Sequence, residues 1–152
     1  KLGVSSLILD KPDKLTDDEF KVMRHHPVNT REILARTGCL SLLADAASSH
    51  HERLDGRGYD RGMASTNLPM LARILCAADI CDALSASRPY REGMPADRVL
   101  QIMGREVGAA IDADCYAALK SILQTAPGRS PSDNTPVARS VAALAEDYAQ
   151  AA

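Results

Sequence analysis

Four histidines occur in this 152-residue chain, all in adjacent pairs: His25 with His26, and His50 with His51. Imidazole is the commonest side-chain ligand for transition metals, and neighbouring histidines at a helix end can present nitrogens to two different ions. Surface and capping histidines are also common, so a pair alone leaves that reading open. An aspartate within an apolar run adds weight. Asp79 lies in "LCAADICDAL", where burying a charge costs several kcal/mol unless it is paired or bound to metal. Asp82, one turn later, reads equally well as half of a helix-face salt bridge.

His51 is followed by Glu52 and then by a polar, glycine-rich stretch, "RLDGRGYDRG". Glycine at Gly56 and Gly58 permits positive φ and close backbone approach. Further on, "SASRPYREGM" places Arg88 and Arg91 around Pro89 in one turn. Guanidinium forks match phosphate oxygens in bidentate geometry; two solvated arginines are the plainer alternative. Their position about ten residues beyond a metal-type aspartate favours phosphate binding.

These residues need helices to hold them. "KLGVSSLILDKPDKL" reads as an irregular opening with a Lys-Pro turn. Thr16, with Glu19 three residues on, forms a capping box and predicts a helix from Asp17 to about His26. Pro27 then forces a break or the first turn of a new helix. "VNTREILARTG" is a second helix closed by Gly38, and "LSLLADAASSHH" a third, with Leu40, Leu43, Ala44 and Ala47 at helical spacing. The segment from Asp55 to about Leu68 is a long loop of the kind that is often functional. Pro69 starts a helix whose Leu71, Ile74, Leu75, Ala78 and Leu84 predict burial. Pro95 opens a helix through about Val107, and Asp112 caps one ending near Leu123.

No alternating strand pattern appears, and the fold reads as all-α. The expected organisation is a catalytic unit over residues 1–124, a flexible linker over 125–136 ("TAPGRSPSDNTP"), and an Ala-rich C-terminal helix over 137–152.

A formal net charge of -2 with 25% charged residues gives no global basicity, so a nucleic acid polymer is not the expected partner and any anionic ligand needs a local cluster. With one Phe, four Tyr and no Trp, the core must come from Leu, Ile, Val, Ala and Met, a helical composition. Cys39, Cys76, Cys81 and Cys115 show no C-x-x-C spacing and read as buried free thiols in a reducing cytoplasm. No apolar run approaches the roughly 20 residues of a membrane span.

"HHERLDGRGYD", followed by "LARILCAADICDALSASRPYR", resembles the HD-GYP family, a branch of the HD metal-dependent phosphohydrolases that cleaves cyclic di-GMP. The similarity covers roughly residues 1 to 123. It implies an HD-domain-like helical bundle in which His26, His50, His51 and Asp79 are metal ligands for two or three divalent transition-metal ions, Fe or Mn. It places Lys1 as the lysine that reaches the active site, and Arg88 and Arg91 as the grip on the substrate's phosphates. Tyr59 and Gly58 would lie beside the nucleotide, with Tyr59 stacking on a guanine or closing a hydrogen bond. His25 has no counterpart and is expected to be a solvated surface residue.

The reaction implied is in-line hydrolysis of cyclic di-GMP to linear pGpG, with GMP as an open second product. A receiver or sensor domain is the expected upstream neighbour. The alternative is a degenerate module that binds cyclic di-GMP or a diguanylate cyclase partner without hydrolysis. Two departures bear on that choice. Asp60 stands where the family signature has proline, putting a negative charge near an anionic substrate. The opening "KLGV" resembles the end of the family's His-Asp motif, so on this alignment the His-Asp pair lies just upstream of residue 1. The expectation is that this chain by itself is inactive.

Overall fold

The computed structural model describes residues 3–87 and 92–125. Lys1, Arg88 and Arg91 lie outside the described residues, as do the linker beyond Thr125 and the expected C-terminal helix. The architecture is all-α, as composition predicts. In chain order the helices are α1 (Ser6–Leu9), α2 (Asp17–Arg24), α3 (His26–Ala35), α4 (Ala44–Ser48), α5 (Met70–Ser85), α6 (Ala96–Arg105) and α7 (Ala113–Thr125). Short 3-10 turns cover Gly38–Leu43 and Ser65–Asn67. None of the described helices is long and apolar enough to cross a membrane.

Local signals set the helix starts. The capping box is complete, with the Glu19 amide donating to Thr16 Oγ1 at 3.3 Å and the Thr16 amide to Glu19 Oε2 at 2.7 Å. Pro27 falls in the first turn of α3, where its missing N–H costs nothing, so α2 stops and α3 restarts at His26. Asp112 caps α7 by accepting from the amides of Asp114 (2.9 Å) and Cys115 (3.2 Å).

Several expectations need correction. The irregular opening contains the single turn α1, capped by the Ser5 side chain. The third helix is shorter than its periodicity suggests: residues 38–43 form a 3-10 turn with Leu40 and Leu43 exposed, and α4 ends at Ser48. In α5 the buried strip is Ala72, Cys76, Ala77, Cys81, Ala83 and Leu84, while Leu71 and Ile74 are exposed. This helix is apolar nearly all round, so spacing alone could not choose which stripe faces inward. Cys76, Cys81 and Cys115 are buried free thiols as expected, but Cys39 is exposed.

The apolar core joins α5, α6 and α7 through Ala77, Cys81, Leu84, Val99, Met103, Ala110, Ile111 and Cys115. Around α3 and α4 the interior is different, with His26, Ser48, Ser49, His51 and Glu52 buried. The long loop after His51 is tied to both regions. Its start is fastened where Arg53 Nη2 lies 2.9 Å from Asp55 Oδ2 and 3.3 Å from Glu106 Oε2, and where the Asp55 amide donates to the Ala109 carbonyl at 2.8 Å. Its end is fastened by Arg73, which donates to the carbonyls of Ser65 (2.6 Å) and Leu68 (2.9 Å) and pairs with Asp112 at 3.0 Å.

Two of these carboxylates make the fold acid-sensitive. Burial alone would raise the Asp112 carboxyl, but the Cys115 amide, the Arg73 guanidinium and the Asp114 amide outweigh it and hold the group below its ordinary range. The Arg53 guanidinium, against a smaller effect of burial, does the same for Asp55. A carboxyl depressed in the folded state contributes stability that is present above its unfolded pKa, about 3.9, and is lost as pH falls through the folded value. Urea midpoints measured between pH 7 and pH 2.5 should therefore fall below about pH 4. Asp112→Asn, which keeps a competent cap, should lower the midpoint at neutral pH and flatten that acid limb.

Candidate metal centre

His26 is set by the α2–α3 corner. Its side chain turns inward to a residue exposure of 2%, and Nδ1 lies 2.8 Å from the Met23 carbonyl oxygen. A carbonyl only accepts, so Nδ1 carries the hydrogen and Nε2 bears the ring's lone pair. His50, in the turn that follows α4, is anchored the same way, with Nδ1 2.8 Å from the Ala47 carbonyl oxygen. The two Nε2 atoms face each other at 3.1 Å. With both rings neutral, two lone pairs at that distance repel, and a proton or a metal ion between them converts the contact into attraction. The spacing suits a transition-metal ion, whose bonds to imidazole nitrogen are about 2.0–2.1 Å for zinc. A ring N–H held by a backbone carbonyl is also the usual support for a metal-ligating histidine.

His51 completes the cluster. Its ring centroid is 4.1 Å from that of His50 and 5.0 Å from that of His26. One ligand atom from each of His26, His50 and His51 falls within 4.8 Å of the others, so the trio could hold a metal ion. Asp79 approaches from α5, with Oδ2 3.7 Å from His51 Nδ1. The four residues expected as ligands thus come from three separate parts of the chain to one place. His25 is exposed, as expected, and Asp82 points to solvent. Burial pushes the Cys76 thiol up to about 12, with the Asp79 charge adding to it, so this residue one turn before Asp79 is a neutral packing group.

The loop after the histidines sits on their backbone. The Tyr59 amide donates to the His51 carbonyl at 3.3 Å. Gly56 has φ +73°, as its type permits. Gly58 does not have positive φ, and the need for glycine there is space: an added Cβ would lie 2.5 Å from Glu52 Cα, 2.5 Å from the His51 carbonyl oxygen and 2.7 Å from the Arg53 nitrogen. The Tyr59 ring stacks on His51 at 4.6 Å and 29°, and the Arg24 guanidinium carbon lies 4.7 Å from its centroid.

Sequence reasoning gave Glu52, Arg24 and Arg31 no role. Glu52 is fully buried, and its two oxygens accept from the amides of Arg61 (2.7 Å) and Met63 (2.8 Å). A carboxylate directly after the paired histidines and before a loop rich in backbone donors was the available signal. The Asp60 carboxylate does not face outward as an uncompensated charge. Its side chain is 2% exposed, with Oδ2 3.4 Å from Arg31 Nη1 and 3.7 Å from Arg61 Nε.

Comparison with known proteins gives these residues a context. The HD-domain family model matches residues 5–115. The chain is 47% identical over 127 residues to 3'3'-cGAMP-specific phosphodiesterase 3 of Vibrio cholerae, covering 84% of this chain and 28% of that protein. It is 38% identical over 121 residues to the cyclic di-GMP phosphodiesterase response regulator RpfG of Xanthomonas campestris, covering 78% and 32%. It is 40% identical over 104 residues to the cyclic di-GMP phosphodiesterase PA4108 of Pseudomonas aeruginosa, covering 68% and 25%. The chain therefore spans about a third or less of the length of these relatives.

Gly58→Ala tests the loop's seat. Backbone atoms of the histidine segment cannot yield as a flexible side chain would, so overpacking should cost about 1–3 kcal/mol in chemical denaturation. Wild-type stability in this variant would show that the loop does not rest on the 51–53 backbone.

Proposed function

This chain belongs to the HD-domain family, and on that footing we propose that it forms part of the catalytic domain of a metal-dependent cyclic-dinucleotide phosphodiesterase. The observation that carries the reading is the 3.1 Å approach of the His26 and His50 Nε2 atoms, each ring turned that way by its own backbone carbonyl. In this reading His26, His50, His51 and Asp79 are the ligands this chain contributes, and the ions are Fe or Mn. A divalent metal bound there supplies Lewis acidity and an activated water at neutral pH.

The chain's own residues do the rest. The carbonyls of Met23 and Ala47 fix the histidine tautomers. The loop seated on Gly58 walls one side of the site, and Tyr59 backs His51. Arg88 and Arg91 hold the nonbridging phosphate oxygens, and Lys1 adds a cation close to the reacting phosphate. Cyclic di-GMP is the substrate this reading favours, supported by relatives named for that activity. The 47% identity to an enzyme named as 3'3'-cGAMP-specific supports a second reading, in which one guanine is replaced by adenine. The response-regulator name of one relative supports an upstream receiver or sensor domain, and the free cysteines support a cytoplasmic location.

The test is made on the full-length protein, purified anaerobically, with metals quantified beside assays on both cyclic dinucleotides. Bound transition metal and chelator-sensitive cleavage of either nucleotide are expected, and the faster substrate decides between the two. Nucleotide binding without turnover would establish the degenerate module instead. His51→Ala should lose metal and more than about a hundredfold of the rate, since even residues supporting a ligand are worth 10–100-fold. Helicity by circular dichroism should stay near wild type. Full metal content and rate in His51→Ala would return the histidines to a capping role.

A further inference from the structure

Among the described residues, Asp60 is the one non-glycine with positive φ, at +103°. L side chains rarely adopt this conformation, so something must hold it. Its neighbours in sequence are both pinned to the histidine segment: the Tyr59 amide to the His51 carbonyl at 3.3 Å, and the Arg61 amide to Glu52 Oε1 at 2.7 Å. Its carboxylate is buried between two guanidiniums, 3.4 Å from Arg31 and 3.7 Å from Arg61. Arg31 belongs to α3, the helix that His26 opens. Arg61 is itself fastened to Asp45 of α4 at 3.1 Å and to Ser49 Oγ at 2.9 Å.

One buried charge therefore ties the loop to α3, to α4 and to the turn that carries His50 and His51. What the loop presents beside it is Tyr59, stacked on the His51 imidazole. We propose that Asp60 is a positioning residue: its ion pairs with Arg31 and Arg61 hold the Tyr59 ring against His51 and so fix the face that His51 turns toward the candidate metal site. The metal half of this inference rests on the functional reading above; the ring geometry does not. A neutral side chain such as asparagine at position 60 would keep the volume but remove the charge that draws Arg31 to the loop and leave Arg61 with Asp45 alone, and the strained backbone would relax away from α3 and carry Tyr59 with it.

Two substitutions separate positioning from mere stability. Asp60→Asn keeps the shape and removes the charge. Asp60→Gly removes the charge and also relieves the strain, since glycine accepts positive φ freely. If Asp60 served only to build the turn, glycine would serve as well or better. In the full-length protein stripped of metal, the aromatic NMR shifts of the His51 ring, assigned by their loss in His51→Ala, report the ring current of Tyr59. Mn(II) titration of the same samples reports the site.

Asp60→Asn, Asp60→Gly and Arg31→Met should each move the His51 shifts toward those of Tyr59→Leu and weaken Mn(II) binding about tenfold. Arg31→Lys, which keeps the charge, should recover most of both. His51 shifts and Mn(II) affinity at wild-type values in Asp60→Asn and Asp60→Gly, whatever their melting temperatures, would overturn the proposal. Displaced shifts with unchanged Mn(II) affinity would overturn it too. Failure of the wild-type protein itself to bind Mn(II) would bring down the functional reading and this inference with it, whereas wild-type binding with unaltered variants brings down the inference alone.

Discussion

The Glu52 side chain has no access to solvent, and the site is organised around meeting its needs. Taking a carboxylate out of water costs several kcal/mol, and only well-aligned donors offset it. Here the donors are two backbone amides of the loop, at 2.7 and 2.8 Å, each hydrogen bond to a charged group contributing about 1.5–3 kcal/mol. Because Glu52 directly follows His51, holding the loop and placing the histidines are one interaction. Moving the Arg61–Met63 segment would strand the carboxylate, and moving Glu52 would drag the His51 carbonyl away from the Tyr59 amide. Gly58 permits this arrangement by letting the loop lie directly on the 51–53 backbone.

What could be read from sequence was whatever a short span decides. The Thr16–Glu19 capping box and the Asp112 cap form within three residues, so residue type and spacing suffice. Pro27 acts on its own φ and its missing N–H, and the α2–α3 break follows. His26, His50, His51 and Asp79 were singled out by their types and by the resemblance, and the structure gathers them. Their mutual geometry was not legible, because His26 and His50 meet across 24 positions of chain. The same holds for Asp60, whose partner Arg31 lies on another element, so that sequence reads it as a negative charge beside an anionic substrate while the fold pairs it with a guanidinium. The inward stripe of α5 was misjudged for a further reason. In a helix that is apolar on most sides, the choice of buried face belongs to the neighbouring helices rather than to the periodicity.

Helix α5 is what joins two different interiors. Through Ala77, Cys81 and Leu84 it belongs to the apolar core with α6 and α7. Through Asp79 it reaches the His51 side of the cluster. Small side chains on its buried strip suit this double duty, because alanine and cysteine carry few rotamers and fix the helix position closely. The carboxylate of Asp79 is thereby placed by packing that owes nothing to the site. A carboxylate held by a rigid element in this way would lose little entropy on meeting an ion, the condition for a preorganised site.

The other interior, around α3 and α4, buries imidazoles and a carboxylate where a core would ordinarily hold leucine. Met23 and Ala44 are among the few apolar groups enclosed there, so hydrophobic burial cannot be the main source of order. Backbone anchors to the His26 and His50 rings and to Glu52 supply it instead. Those anchors also turn the Nε2 atoms of His26 and His50 toward each other at 3.1 Å, where neutral rings would set lone pair against lone pair. A fold selected for stability alone would relieve that repulsion by turning one ring. With both rings locked by carbonyls three residues earlier, the arrangement favours a cation, whether a proton or a metal ion, between the two nitrogens. In the functional reading proposed above, an ion bound there would relieve that repulsion as well as form bonds.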